Sequence, residues 1–430
     1  MLILSHPIGN ANVRQAVRAL NDIGLLSEFW TSLSWPAQHP LARMLPSSVS
    51  RQLGRRTFTH VHQDQVHCYP WIEAGRLLAN RFRLDGLTRH EVGWFSVDAV
   101  YRGLDATVAS RLHRAKNIQA VYAYEDGALA SFRVARKLGL KTIYELPIGY
   151  WRYYQELMEE EAQLEPEWAI TLPGIFDSAS KRERKDEELA LSNHIVVASE
   201  FVRHTLLKAG PLNAPVSVAP YGAPATCATK IWPSPSDETL SVIFVGMLSQ
   251  RKGISYLLKA ADLLGSRIKL TLVGQRVGKC RALDGALRRH RWIPSLNHSD
   301  LLQEIGRHDV MVFPSLFEGL GLVLLEALSQ GVPVITTKHS GAPDFLSDGE
   351  DGFLVPIRDP GAIAEKLELL ADDRDRLEVM SHAAIRKAAQ RSWKRYRERL
   401  AGIVCGALYE SPTPPQDIDF SPSIPSEQAC

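Results

Sequence analysis

The chain has 430 residues and a formal net charge of +2, and 45% of its residues are hydrophobic while 23% are charged. This length exceeds what one ordinary core holds, and the composition excludes a disordered or fibrous protein. The small net charge excludes nucleic acid as the main partner.

In the first half, short apolar runs alternate with longer helical patterns, which is typical of parallel sheets covered by helices. The candidate strands are Met1 to Ser5, Ala120 to Tyr124, Lys141 to Glu145 and His194 to Ala198. The candidate helices are Val13 to Leu26, Ala128 to Leu138 and Phe201 to Ala209. These elements predict a Rossmann-like domain over residues 1–210.

A basic and aromatic stretch lies within this half. Between Arg43 and Lys116 basic residues outnumber acidic ones, and Phe58, Tyr69, Trp71 and Phe82 are interleaved with them. The pattern indicates either a solvated face with a few packed aromatic residues or a surface with affinity for anionic membranes. We assign the second alternative, as a hypothesis, to Arg51 to Arg89.

Residues 211–239 are rich in Pro, Ala, Ser and Thr and are predicted as a linker. A second series of elements follows it. Its strands are Leu240 to Val245, Ile268 to Val273, Val310 to Pro314 and Val332 to Thr336, and its helices are Ile254 to Leu264 and Gly321 to Gln330. They predict a second Rossmann-like domain over residues 240–400, with an interdomain cleft. Residues 401–430 are expected to be a helix end followed by a disordered tail.

The most informative stretch surrounds Glu318, at a strand end that leads through a turn into a helix. Gly319 and Gly321, with Leu320 between them, let backbone amides approach a ligand, and the helix start favours a phosphate. Glu318 lies before this helix and Glu326 lies within it, so the two carboxylates can address different parts of one elongated ligand. A sugar nucleotide has that shape. The alternative is a helix cap at Glu318 and a solvated residue at Glu326.

Arg251 and Lys252 follow the first strand of the second half and precede its first helix. Cations at a helix start are disfavoured unless an anion offsets them. A leaving diphosphate gains negative charge as its bond breaks, and fixed cations stabilise that transition state. The pair therefore indicates a diphosphate site, and the alternative is that one of the two is only solvated.

These stretches resemble the retaining glycosyltransferases of family 4, which have the GT-B fold. The resemblance runs from about Leu240 to about Leu400 and includes the E-x7-E pair of Glu318 and Glu326. Further matching stretches are Pro314-Ser315, Glu326-Ala327, Gly331 to Ile335, Gly341 to Asp344, Asp348-Gly349, Asp351 to Pro356 and Ser392-Trp393. Thinner matches in the first half are Gly9, Ser199-Glu200-Phe201 and Tyr221-Gly222-Ala223.

The resemblance implies an α/β protein of two Rossmann-like domains that transfers a sugar from a nucleoside diphosphate sugar to a hydroxyl of a glycan or lipid-linked acceptor. It implies retention by front-face displacement, with no cofactor beyond the donor. The domain over residues 1–210 would lie on the acceptor side, and the domain over residues 240–400 would bind the donor. Glu318 would contact the donor sugar, Glu326 the ribose and Lys252 the diphosphate. Amides from Gly319 to Gly321 would contact the phosphates or the sugar, and Gly9 matches a glycine of the family's first loop.

Two departures from the family pattern concern the site. Met247 stands where the family usually has arginine, so Arg251 is expected to supply the second charge. The family often has histidine at the end of a strand where Glu145 stands here. Glu125, Asp126 or Glu145 could face the acceptor instead, although capping or surface roles are open for all three.

No metal site is indicated. The D-x-D patterns at Asp417 to Asp419 and Asp373 to Asp375 lack a strand and loop to position them, and the five cysteines are scattered singly without zinc spacing. The chain also carries no signal-peptide pattern and no run of ~20 apolar residues. We expect a cytoplasmic protein, with peripheral contact to the inner face of the membrane left open and the oligomeric state unspecified.

The sequence also bears on four other functions. A sugar-nucleotide epimerase could share this fold, whereas a phosphorylase would need a pyridoxal lysine. A dehydrogenase would need G-x-G-x-x-G after the first strand, where the chain reads His6 to Asn12 without it. Met247 keeps open a non-catalytic binding protein.

Overall fold

Two parallel sheets, one from each half of the chain, form the structure. The computed structural model describes residues 1–35, 56–227, 230 and 239–409. The strands of the first sheet are β1 (Leu2–Ser5), β2 (Leu26–Thr31), β3 (Val66–Cys68), β4 (Ala120–Tyr124), β5 (Lys141–Leu146), β6 (His194–Val197) and β7 (Val216–Val218). Those of the second are β8 (Leu240–Val245), β9 (Ile268–Val273), β10 (Arg291–Ile293), β11 (Val310–Phe313), β12 (Val334–Thr337) and β13 (Gly352–Val355).

Helices cover both sheets. In the first half they are α1 (Ala11–Asp22), α2 (Trp71–Arg81), α3 (Asp85–Thr88), α4 (Val97–Leu112), α5 (Leu129–Lys137), α6 (Trp151–Leu164), α7 (Ala179–Ala190) and α8 (Glu200–Thr205). In the second half they are α9 (Ile254–Leu264), α10 (Arg281–Arg289), α11 (His298–Gly306), α12 (Leu322–Ser329), α13 (Pro360–Asp372), α14 (Arg374–Gln390) and α15 (Trp393–Tyr409). None of the helices in the described part of the chain is both long and apolar enough to span a bilayer.

The strand order of each sheet shows where a ligand is expected to bind. The first sheet runs β3-β2-β1-β4-β5-β6-β7 and the second β10-β9-β8-β11-β12-β13. In each sheet the order reverses between the first strand and the fourth, β1 and β4 or β8 and β11. Ligands of such sheets bind at the carboxyl ends of the strands at this reversal. The loops after β4, β8 and β11 are therefore the places where chemistry is expected.

The sequence predicted eight of the thirteen strands and five of the fifteen helices named above. The bounds of β4, β8, β9 and α9 coincide with the predicted ones, because each is an apolar run closed by turn residues. The predicted helix Val13 to Leu26 is wrong at its end. It stops at Asp22, Gly24 adopts a left-handed φ of 71°, and Leu26 begins β2.

The domain boundaries also differ from the prediction. The predicted linker contains β7, which pairs with β6 in the first sheet. The predicted second domain and tail both contain parts of α15, which packs on the first domain instead. Arg397 Nη1 donates to Gln15 Oε1 over 2.7 Å, and the Tyr396 ring lies 5.7 Å from that of Tyr221. The tail from 410 onward, including Asp417 and Asp419, lies outside the described residues.

Candidate active site

The loops after β8 and β11 are joined by short backbone contacts. Gly253 adopts a left-handed φ of 67°, and a Cβ there would lie 2.0 Å from the carbonyl oxygen of Pro314. The Leu316 amide donates to the carbonyl oxygen of Arg251 over 2.9 Å, and the Ser315 hydroxyl donates to the same oxygen over 3.2 Å. Only glycine allows this approach at position 253, so the local sequence fixes the two loops against each other.

This junction brings three predicted site residues together. Arg251 Nη1 lies 2.7 Å from Glu318 Oε1, and it also donates to the carbonyl oxygen of Phe317 over 2.8 Å. Lys252 Nζ donates to the same Glu318 oxygen, and its ammonium lies 4.7 Å from the centre of the Phe313 ring. One carboxylate therefore holds two cations at the carboxyl ends of β8 and β11.

Burial and neighbouring charges set the protonation of Lys252 and Glu318, which together with Arg251 form what we call the Glu318 group. Burial lowers the pKa of Lys252 to about 8, against the attraction of Glu318. Burial alone would raise the pKa of Glu318, but the charges of Lys252 and Arg251 bring it below its ordinary value. Near neutral pH the three residues carry one net positive charge.

The glycines of the turn have a structural role as well as the predicted one. A Cβ on Gly319 would lie 1.8 Å from the carbonyl oxygen of Pro147 in the first domain, and the Gly319 carbonyl accepts from Ser199 Oγ over 2.5 Å. The Gly321 amide already donates to Ser340 over 3.0 Å. Within the described residues, the amides of Gly319 and Leu320 donate no hydrogen bond, so they are the ones in this turn that could meet a phosphate.

Glu326 lies apart from the cations, one helix turn into α12. Its Oε1 lies 3.0 Å from His298 Nε2, and this hydrogen bond raises the pKa of His298. Sequence reasoning missed His298, because it stands at the start of α11 with no motif around it. Only the packing of α11 beside α12 brings it to Glu326.

A cavity of about 300 Å³ lies between the two domains, next to Arg251. Glu125, Trp151 and Lys185 line it from the first domain, and Met247 and Arg251 line it from the second. Of these, the sequence singled out Glu125, Met247 and Arg251. Trp151 and Lys185 come from α6 and α7 and were missed, because charged and aromatic residues on a helix are ordinarily surface or packing residues.

Glu125 is the acceptor-side candidate that reaches this cavity. Its Oε1 lies 3.5 Å from Lys185 Nζ. Burial raises the pKa of Glu125 to about 7, although Lys185 lowers it in part. The carboxyl group is therefore poised to change charge near neutral pH.

The other acceptor-side candidates are engaged elsewhere. Glu145 is fully buried and accepts from Tyr122 over 2.5 Å and from Tyr221 over 3.2 Å, so it does not face the cavity. Asp126 pairs with Arg184 at 2.9 Å. Gly9 follows β1, where a Cβ would lie 2.4 Å from the ring of Phe58. Its described contacts are within the first domain, and the predicted donor contact at Gly9 remains a prediction.

Potential metal ligands converge at one place among the described residues. His90, Glu91 and Asp177 each offer an atom, all within 4.8 Å of one another. Lys181 and Lys185 approach the Asp177 carboxylate at 3.3 and 3.7 Å, so ammonium groups already neutralise it. Asp373 caps α14 by accepting from the Arg376 amide over 2.9 Å.

Residues 229–387, which carry the Glu318 group, match the sequence model of the family described as "Glycosyl transferases group 1". This part of the chain is similar to that family. The identification agrees with the resemblance drawn from Glu318 and Glu326. The match lies in the second domain, which contributes Arg251, Lys252 and Glu318, and the first domain contributes Glu125.

Solved structures share the fold over nearly the whole chain. The sucrose-phosphate synthase of Thermosynechococcus elongatus superposes with a TM-score of 0.67 at 17% identity, covering 95% of this chain and 99% of that one. HepE of Anabaena, in complex with UDP, gives a TM-score of 0.60 at 15% identity, covering 94% and 99%. The predicted GT-B fold is confirmed.

Curated relatives match over shorter stretches. The D-inositol 3-phosphate glycosyltransferase of Arthrobacter sp. (strain FB24) is 30% identical over 243 residues, which are 50% of this chain and 56% of the relative. The sucrose synthase of Acidithiobacillus caldus is 37% identical over 131 residues, which are 28% of this chain and 16% of the relative. The chain thus spans about half, or less, of the length of these relatives.

Proposed function

We propose that this protein transfers a sugar from a nucleoside diphosphate sugar to a hydroxyl group of an acceptor, with retention and without a metal ion. One observation carries the proposal: Arg251 and Lys252 share the carboxylate of Glu318 beside an interdomain cavity, at the carboxyl ends of β8 and β11. A bound diphosphate would balance part of the positive charge of Arg251 and Lys252, which Glu318 balances in its absence. That exchange would release the carboxylate to accept hydroxyls of the donor sugar.

The donor side follows from charge and position. Two cations fixed in a partly dry site stabilise a departing diphosphate more than they would in water. The amides of Gly319 and Leu320 add hydrogen-bond donors next to Glu318. Glu326, hydrogen-bonded to His298, would accept hydrogen bonds from the ribose hydroxyls. HepE of Anabaena, which shares this fold, was solved in complex with UDP, and this supports a donor that contains a nucleotide.

The acceptor side follows from the cavity. Its first-domain wall offers a carboxyl group at Glu125, an ammonium at Lys185 and an indole at Trp151. Hydroxyl groups of a sugar can hydrogen-bond to the first two and pack on the third. In front-face displacement the departing phosphate takes the acceptor proton, and Glu125 then orients the acceptor hydroxyl rather than removing its proton.

A donor screen tests the proposal and separates it from its rivals. Unfolding is followed with UDP-, GDP- and ADP-sugars, since a ligand at ~100 times its Kd stabilises a fold by about 2.7 kcal/mol. The stabilising donor is then incubated with the protein in the presence of EDTA, and the products are analysed. We expect release of the nucleoside diphosphate and an anomer of unchanged configuration. An altered sugar still attached to the nucleotide would indicate an epimerase, and stabilisation without turnover would indicate a binding protein.

A further inference from the structure

Large apolar side chains are exposed together on the first domain, outside the candidate active site. They lie on α2, on α3 and in the loop before α4, and we call them the apolar surface. Its most exposed members are Val92, Trp71 and Trp94, with 70, 73 and 80% of their surface accessible. Monomeric proteins seldom expose a continuous patch of this kind without a binding role. The hypothesis drawn from the sequence placed such a surface at Arg51 to Arg89, of which 51–55 lie outside the described residues.

The apolar surface is held in place rather than loose. Trp71, Leu78 and Phe82 are spaced to share one side of α2, and all three are exposed. The Phe95 ring fills the gap in this row, since a Cβ on Gly75 would lie 2.3 Å from it. Packing of Phe95 against α2 leaves its neighbour Trp94 outside. The Phe95 amide also donates to the Leu87 carbonyl over 2.8 Å, which fixes the loop to α3.

Cationic side chains are interspersed with the apolar ones. Arg81, Arg83 and Arg89 are exposed, and within the described residues their guanidinium groups form no ion pair. Other arginines of the same region behave differently, since Arg76 binds the buried Glu73 at 2.6 Å. The three exposed arginines are therefore available to an anionic partner.

We propose that the apolar surface docks on an anionic lipid bilayer. Trp71, Phe82 and Trp94 enter the interfacial layer, and Arg81, Arg83 and Arg89 lie on the headgroup phosphates. Arginine and aromatic residues are enriched at protein interfaces as well, but a protein partner would have to supply acidic groups opposite Arg81, Arg83 and Arg89. A bilayer surface offers an apolar layer and negative charge side by side, and both terms contribute to the binding of such surfaces.

The apolar surface adjoins the cavity of the candidate active site. His90 Nε2 lies 2.9 Å from Asp177 Oδ1, and the Glu91 carboxylate accepts from the Ser178 amide over 2.8 Å. Asp177 lines the cavity beside Lys185. Docking would thus hold the cavity mouth at the bilayer. This step rests on the proposed function. A cavity mouth held at the bilayer would favour a lipid-anchored acceptor over a free glycan.

The experiment is vesicle co-sedimentation of the full chain. Vesicles of phosphatidylcholine alone are compared with vesicles that also contain phosphatidylglycerol, at low and at physiological salt. The variants are Trp94→Ser and the triple change Arg81→Gln, Arg83→Gln and Arg89→Gln. Val379→Ser is the matched control, because Val379 on α14 is 66% exposed but lies on the second domain.

We expect the wild type and Val379→Ser to bind the anionic vesicles, more weakly as salt rises. Trp94→Ser should weaken partition by about tenfold, the scale for losing one buried aromatic side chain. The triple change should remove the dependence on phosphatidylglycerol. Wild-type protein that stays in the supernatant overturns the proposal, as does a Trp94→Ser variant that binds like wild type. A self-association that Trp94→Ser abolishes, with no vesicle binding, would assign the surface to a second copy and likewise overturn it.

Hydrolysis of the donor by water is measured as well, so that the vesicle test stays separate from the test of the proposed function. Hydrolysis needs no acceptor, so Trp94→Ser should hydrolyse the donor at the wild-type rate. Absence of hydrolysis and transfer in the wild type would count against the proposed function and leave the vesicle result standing.

Discussion

At the scale of single residues, charge at the Glu318 group decides what the site can bind. Lys252→Ala withdraws one cation aimed at the departing diphosphate, and loss of one such preorganised group typically costs about 2.7–4 kcal/mol, or roughly a hundredfold to a thousandfold in kcat. Arg251→Ala should cost a comparable amount, because its guanidinium binds Glu318 at 2.7 Å rather than facing solvent. Transfer is measured with EDTA present. Arg267→Ala, an exposed arginine of the same domain, is the control and should match wild type.

Met247 gives a second test of whether Arg251 supplies the charge of the arginine that the family usually has at position 247. Met247 lines the cavity and is 52% exposed, at the position where the family usually has arginine. If Arg251 already supplies the missing charge, Met247→Arg should change kcat by less than about tenfold. A large gain from Met247→Arg, combined with no loss from Arg251→Ala, would show that Arg251 does not fill that role.

Glu125 and Lys252 predict a narrow pH optimum. Glu125 has a pKa of about 7 and is mostly charged above pH 7. Lys252 has a pKa of about 8 and is mostly charged below pH 8. The ratio kcat/KM reports groups of the free enzyme. It should fall as pH drops below about 7 and again as pH rises above about 8. Glu125→Gln should lose the acidic limb and keep the alkaline one, while the exposed control Glu156→Gln should keep both. An acidic limb that survives in Glu125→Gln assigns it to another group.

At the scale of elements, the junction between β7 and α15 depends on one glycine. A Cβ on Gly222 would lie 2.4 Å from the Trp393 backbone nitrogen, so Gly222→Ala forces the start of α15 away and should destabilise by about 1–3 kcal/mol. Gly402→Ala is the matched control, since Gly402 lies within α15 with open space around it and should stabilise by about 0.5–1 kcal/mol. Thermal unfolding of both variants checks the sign. A Gly222→Ala variant as stable as wild type would mean that α15 adjusts freely.

The same scale shows what the sequence could predict. The strands β8, β9 and β11 are apolar runs that need no partner to be recognised, and the Glu318 turn is one local stretch. In contrast, β2 carries Glu28, which is tolerated because Arg111 Nε lies 2.9 Å from its carboxylate. That partner is 83 residues away and could not be foreseen. Trp151, Lys185 and His298 were missed for the same reason, since tertiary packing alone brings them to the site.

At the scale of the whole molecule, one buried carboxylate ties the domains together. Glu161 on α6 accepts from Gln250 over 2.6 Å and from Tyr256 over 2.8 Å, and Arg358 Nε lies 2.8 Å from it. These three partners belong to the second domain. Glu161→Ala leaves Arg358 without its buried partner and should cost about 3–5 kcal/mol.

The neighbouring residue supplies the control for this change. Glu160 also pairs with Arg358, at 2.9 Å, but its side chain is 59% exposed. Glu160→Ala should therefore cost only about 0–1 kcal/mol. Calorimetry of both variants should show a large shift of Tm in Glu161→Ala and a small one in Glu160→Ala. Equal shifts would mean that Glu161 does not hold the domains.

The return of α15 to the first domain bears on how the protein can be divided. A fragment that ends at residue 227 would lack the helix that covers Tyr221, and a fragment that begins at 239 would carry α15 with its buried Leu400 and Val404 uncovered. Neither half is then a self-contained folding unit, although the sheets are separate. Produced together, the two fragments should recombine through α15 into one complex that copurifies without a covalent link.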